Sequence, residues 1–358
     1  MVDPRVSEHA KIVVNYSCKV KQNDFVIISA TPEAHDLVVA LASELGKAGA
    51  RFMVVDTDDY VHRAYLLAAG DETLSTLLPP QVVNLFREAD VFINVGALSS
   101  SNTQEMSDIP PQKLQMVARS MGPLSEAMAG KRWNLTLHPT KALAQDAKMS
   151  YEAYCDFAYS AIIRDWPKFE TEMKVLSERM ARAKNVRVVG KDTDISLSVE
   201  GRRPKVSAGD HNMPSGEVFV SPVDTEVKGD VYFDLPVIYQ GHEIRGARLS
   251  FRDGIVVESS AEEGEEFLKG MLAVDDGARR LGELGIGMNR GIDRFTRNIL
   301  FDEKMGDTIH MAVGRAYEET GGTNKSAIHI DMIKSMKDGG AIYFDGAPVY
   351  EKGKFVWE

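Results

Sequence analysis

Histidines and carboxylates crowd toward the C-terminal part of this chain. His310, His329 and Asp331 fall within 22 residues, and Glu283 and Glu303 lie a short way upstream. His329-Ile330-Asp331 sits in SAIHIDMI, which has strand composition. Strand side chains alternate faces, so His329 and Asp331 project to one side, a natural two-ligand edge for a metal ion. His310 sits in GDTIHMAVG, another short apolar run. If the two strands pair, three ligands converge. Glu283, in ARRLGELGIG, reads as the C-terminal end of a helix. An acid there opposes the helix dipole unless a cation compensates. Taken singly, each residue has a plainer reading. The HID pair could be hydrogen-bonded core, Glu303 in LFDEKMGD a solvated loop acid, Glu217 in MPSGEVFVSP an acceptor for turn amides, and Tyr317 in GRAYEET a packing side chain. Their joint arrangement is what points to a metal centre.

Other chemistries fail on spacing. His242-Glu243 is followed by Gly246 where HExxH needs its second histidine. Gly282, Gly285 and Gly287 do not make GxGxxG, and neither GxxxxGK[ST] nor GxSxG occurs. Cys18 and Cys155 are too few and too far apart for a disulfide scaffold or a thiolate zinc site, which suits free thiols in a reducing cytosol and a cytoplasmic location. Lys plus Arg number 42 against 53 Asp plus Glu, a net charge of −11. That balance argues against a general nucleic-acid binder and against docking on anionic membranes. No apolar run approaches the roughly 18–20 residues that span a bilayer, and MVDPRVSEHA has no signal-peptide core.

The elements that must position these residues fall into two halves, as a length of 358 residues suggests. Strand-like runs at 24–30, 50–56, 89–95 and 133–138 alternate with helical stretches at 33–46, 82–88, 113–121 and 140–149. This βαβ rhythm predicts an α/β N-terminal domain with a mostly parallel sheet. Residues 151–183 read as one or two helices. From about 185 the texture changes to short strands separated by Gly and Asp turns, predicting an α+β C-terminal domain. The expected domains are therefore 1–184 and 185–358. Ser260 and Glu263 form a capping box that predicts a helix running to Leu281. Asp345-Gly346 predicts a hairpin.

Together these motifs resemble the M29 peptidases, the aminopeptidase T and aminopeptidase S group. The stretches that carry the resemblance are MPSGEVFVSP, ARRLGELGIGMN, NILFDEK, IHMAVGRAY, GGTNKSAIHIDM and FDGAPVYEKGKFV, with HPTKALAQDAKMSYEAYCDF upstream. The resemblance implies a C-terminal catalytic domain with two divalent ions (Zn, Co or Mn) held by Glu217, Glu283, Glu303, His310, His329 and Asp331. It implies that Glu283 bridges the ions or holds the nucleophilic water, and that Tyr317 stabilises the oxyanion. The implied reaction is removal of N-terminal residues from a peptide or small amide by a metal-bound water, in a homodimer, with no nucleic-acid or membrane partner. Metal binding needs neutral imidazole, so activity should fall below about pH 6. The chain is some tens of residues shorter than typical members, mostly in its first half. The same fold includes ring-cleaving enzymes resembling 2,5-dihydroxypyridine dioxygenase, with one Fe(II). His310, His329 and Asp331 hold the makings of that two-His-one-carboxylate triad, so a mononuclear dioxygenase is the alternative.

Overall fold

Runs of Val and Ile build the first sheet. In the computed structural model, which describes residues 3–101 and 108–357, strand Phe25–Ala30 is an interior strand and Val26, Ile27 and Ile28 are fully buried. Its neighbours are Arg51–Asp56 on one side and Val91–Gly96 on the other. Arg132–Leu137 and the short Asn212–Met213 follow outward, and every pairing is parallel. Parallel neighbours need crossovers, and helices supply them. Helix His35–Ala48 buries Leu37, Leu41 and Leu45, and it stops where Gly49 takes a left-handed φ of 71°. Helices Pro80–Glu88 and Gly122–Met128 serve the later crossovers. The parallel α/β expectation therefore holds.

The chain divides into two compact units. One takes the described residues up to Ile163 together with Gly209–Pro214, and the other takes Arg164–Ala208 and the described residues from Ser215 onward. This division departs from a boundary at 184/185. The stretch 151–183 is two helices, Tyr151–Ile162 and Trp166–Arg182, and the second belongs to the second unit. Its buried stripe of Phe169, Met173, Leu176 and Met180 repeats at helical spacing and packs on strands Lys205–Ser207 and Glu217–Val220.

Among the described residues the second unit holds two large antiparallel sheets and a two-stranded one, Val237–Tyr239 with His242–Ile244. An eight-stranded sheet runs Ile255–Ser260, Ala247–Arg252, Val227–Phe233, Thr193–Ser198, Asn185–Gly190, Ala341–Phe344, Ala347–Glu351 and Lys354–Phe355. Its Asp345-Gly346 turn takes φ of 48° and 83°, the pair of left-handed residues that a two-residue hairpin demands. A five-stranded sheet runs His329–Ser335, Thr308–Gly314, Leu281–Gly287, Glu217–Val220 and Lys205–Ser207.

One predicted helix is largely absent. Strand Ile255–Ser260 runs through the supposed capping serine, and the helix is only Glu265–Leu272, entered from Gly264 with no side-chain cap. It ends before Asp275, whose carboxylate accepts from the Ala278 and Ala327 amides and so fixes a turn instead. Glu283 therefore lies in a fully buried strand and not at a helix end. No helix dipole acts on Glu283, so none calls for a cation beside it. Three glycines decide the matter, because they are poor helix formers and permit close backbone approach. A Cβ at Gly282 would lie 2.5 Å from the Arg315 carbonyl oxygen, and one at Gly287 would lie 2.1 Å from that of Met305.

Candidate metal centre

The register of the five-stranded sheet gathers five of the six expected residues on one face. Residues directly opposite one another in an antiparallel ladder share a face. His310 pairs with Gly285, Glu283 with Ala312, Ala312 with Asp331, Gly314 with His329, and Gly287 with Glu217. Each long polar side chain thus stands opposite glycine or alanine, which leaves room for it above the sheet. The tightest case is Gly285, where a Cβ would lie 1.9 Å from His310 Cε1. A register shift between Leu281 and Glu283 makes Gly282 an extra residue, a bulge that sets the face on which Glu283 projects.

The sixth residue, Glu303, follows the short helix Ile299–Asp302. That helix is fixed by two neighbours. Asn298 Oδ1 accepts from the Leu300 amide, and buried Asp302 accepts from the Thr296 amide and hydroxyl, each at 2.8 Å. Burial pushes the Asp302 carboxyl up to about 7 against those donors. Tyr317 lies beyond strand Thr308–Gly314, its amide donating to Ser221 Oγ. Its ring stands edge-on to His329 at 5.1 Å and to Phe219 at 5.5 Å.

Both imidazoles are oriented from behind. His310 Nδ1 lies 2.9 Å from the Glu303 carbonyl oxygen and His329 Nδ1 lies 2.7 Å from that of Arg315. A carbonyl only accepts, so each Nδ1 carries the proton and each Nε2 presents a lone pair when the ring is neutral. Those lone pairs face carboxylates. His310 Nε2 is 3.5 Å from Glu283 Oε1 and 3.5 Å from Glu217 Oε2, while His329 Nε2 is 3.2 Å from Glu283 Oε2 and 3.5 Å from Asp331 Oδ1. Acceptor facing acceptor at these distances needs a cation between them. Glu217 Oε2 and Asp331 Oδ1 are buried with no hydrogen-bond partner. Ligand atoms of Glu283, His310 and Asp331 all lie within 4.8 Å of one another, a group able to hold a metal ion.

The electrostatics follow. Burial opposes charge on the imidazoles, but Glu283 with Glu217 raises His310 to about 10, and Asp331 with Glu283 raises His329 to about 11. Burial raises Glu217 to about 7, with Lys304 pulling the other way. Burial also raises Glu303. Glu283 and Asp331 are buried too, yet the facing imidazoles hold both below the usual range. Burial and the surrounding carboxylates push the Tyr317 hydroxyl up, so at neutral pH it is a proton donor.

Lys304 is a participant that the sequence reading passed over. It is 0% exposed, its Nζ lies 3.6 Å from Glu217 Oε1, and it also contacts Glu303. The available signal was its place directly after Asp302-Glu303 in an apolar setting, LFDEKMG, where a lysine can be buried only if it is paired.

A buried cage of oxygen and imidazole acceptors on a five-stranded sheet is what a divalent-cation-dependent enzyme presents. Comparison with known proteins makes this specific. The model of the thermophilic metalloprotease family (M29) matches residues 2–355, and the chain belongs to that family. It is 28% identical to aminopeptidase T of Thermus thermophilus over 97% of each chain, and 24% identical to aminopeptidase PepS of Streptococcus thermophilus over 98% of each. The solved structure of wild-type AmpT from Thermus thermophilus superposes with a TM-score of 0.83 at 25% identity, covering 99% of both chains. The fold expected from the resemblance is thereby established. No helix among the described residues is long and apolar enough to cross a membrane.

Proposed function

We propose that this chain is a metallo-aminopeptidase that removes N-terminal residues from peptides with two divalent ions held on the five-stranded sheet. The observation that carries this reading is the position of Glu283. Its two oxygens face different imidazoles, Oε1 toward His310 and Oε2 toward His329, which is how a carboxylate shared between two ions is placed. His310 and Glu217 would hold one ion, with Glu303 beside them, and His329 and Asp331 would hold the other.

Charge supports the count. Four carboxylates against the Lys304 ammonium leave −3 with neutral imidazoles. One divalent ion leaves the buried cluster at −1, and two leave it at +1, ready for one anion. Residual charge in a buried site is costly, so the second count matches a site that must receive a nucleophile. When bound, such a pair supplies an activated water and polarises the scissile carbonyl. The protein's own groups do the rest. Glu283 orients and accepts, and the protonated Tyr317 donates to the carbonyl oxygen as it gains charge. The oxygenase alternative finds no support among the aminopeptidase relatives.

Elemental analysis of protein purified without added ions should find about two transition ions per chain. Release of p-nitroaniline from Leu-p-nitroanilide should stop on chelation and return with metal. One iron per chain, no anilide turnover and oxygen uptake with a dihydroxypyridine would replace this reading with the dioxygenase.

A further inference from the structure

Tyr317 belongs to two places at once. Its ring stands 5.1 Å from that of His329 in the acidic cluster, and the residue also lines a pocket of about 440 Å³. The rest of that pocket comes from the segments on either side of the short helical turn Glu318–Thr320, chiefly Arg315, Glu318, Thr323, Lys325 and Ser326. The volume lies in the range of small-ligand sites. The frame around it is rigid. Asn324 is buried and donates to the Gly277 and Gly314 carbonyls, and Ser326 Oγ donates to Asp275. A Cβ at Gly322 would lie 2.5 Å from Ala316 Cβ, so the loop is packed against the strand end.

The charge of the lining is unexpected beside a carboxylate-rich centre in a chain of net charge −11. Arg315 and Lys325 both face the pocket, both are exposed, and neither has an ion-pair partner among the described residues. Glu318 is the one anionic side chain on the wall. Two cations without partners at the mouth of a pocket form a site for an anion, because an arginine fork and an ammonium both recognise carboxylate.

Resting on the aminopeptidase reading, we propose that this pocket receives the leaving portion of the substrate and selects a carboxylate there through Arg315 and Lys325. With the scissile carbonyl at the metal centre beside Tyr317, the chain beyond the scissile bond runs past Tyr317 into the pocket. Two substrate groups carry the same chemistry at that reach, the terminal carboxylate of a dipeptide and an acidic side chain on the second residue. A dipeptide-selective enzyme follows from the first, and an acidic preference from the second.

Four substrates and two binding probes separate them. Metal-loaded protein should hydrolyse Leu-Ala with kcat/KM about tenfold above Leu-Ala-amide if the terminal carboxylate is read. It should hydrolyse Leu-Asp-amide by a similar factor above Leu-Asn-amide if the side chain is read. Either ratio, expressed mainly through KM, supports the site. In Arg315→Gln/Lys325→Gln the ratio should fall to near one, and Lys325→Glu should invert it. Ratios near one in the unaltered protein, or a preference that survives the double substitution, would overturn the proposal. Calorimetric binding of N-acetylalanine against N-acetylalaninamide gives a readout independent of turnover. Loss of all hydrolysis with this binding preference intact would overturn the aminopeptidase reading and leave the carboxylate site standing.

Discussion

Two pairs of histidines lie inside this molecule and behave in opposite ways. In the α/β unit, His9 is fully buried with Nε2 2.7 Å from Thr136 Oγ1, and burial lowers it to about 3. His138 is buried nearby and is also lowered by burial. In the second unit, His310 is as buried as His9 but raised to about 10. His310 matches His9 in burial and differs in charge, so burial alone decides nothing. The difference lies in what faces the second ring nitrogen. His9 Nδ1 and His138 Nδ1 have no hydrogen-bond partner, so those rings stay neutral core. His310 and His329 each have a carbonyl behind and carboxylates in front, so they must share a cation.

The largest expected effect breaks the second pair while leaving the first. His310→Gln should lower kcat/KM for Leu-p-nitroanilide by at least about 10³-fold and reduce the metal content per chain, because it removes a ligand and leaves Glu217 and Glu283 facing each other. His138→Gln should keep the metal content unchanged and cost on the order of 1 kcal/mol in denaturant unfolding. Equal metal loss in both variants would erase the distinction drawn between the two pairs.

A smaller effect comes from the floor beneath His310. Gly285→Ala adds one methyl that must displace the imidazole. Metal affinity, measured by competition with a chromophoric chelator, should fall about 10- to 100-fold with the ligand set intact. Unchanged affinity would mean that the glycine–histidine pairing does not position the ring.

How much of this was legible differs between the same two regions. The α/β unit was readable because its best-buried parallel strand is a continuous apolar run and the helix after it carries its own breaker. These are the strand at 25–30 and the helix ending at Gly49. In the second unit, alternation placed His329 and Asp331 on one face, and the pairing of their strand with that of His310 supplies the convergence. Glu283 was misplaced because Ser260-x-x-Glu263 imitates a helix start. Only tertiary contacts at Gly282, Gly285 and Gly287 reveal the strand. Lys304 was missed because a lysine beside two acids looks like surface until its burial is seen. Pairing across sheets is a non-local property, and no local pattern encodes it.

The smallest effect is a pH slope that separates the empty centre from the loaded one. His310 and His329 in the folded, metal-free protein hold protons up to about 10 and 11, against 6.5 when unfolded. Glu217 holds its proton to about 7, against 4.5. In all three cases the folded state binds the proton more tightly, so stability declines as pH rises. The imidazole share is fully present below 6.5 and is lost progressively through about 10 to 11. The Glu217 share is already lost by about pH 7. Glu283 and Asp331 shift the other way and matter only in acid. Chelated protein should therefore lose roughly a few degrees of melting temperature between pH 7 and 10. Metal-loaded protein should lose less, because its imidazoles have already given up those protons. Paired melting curves with and without chelator give the difference directly. His138→Gln should leave that difference in place, since His138 is neutral throughout this window, whereas parallel slopes for the two forms would mean that the cation in the cage is not exchanged for protons.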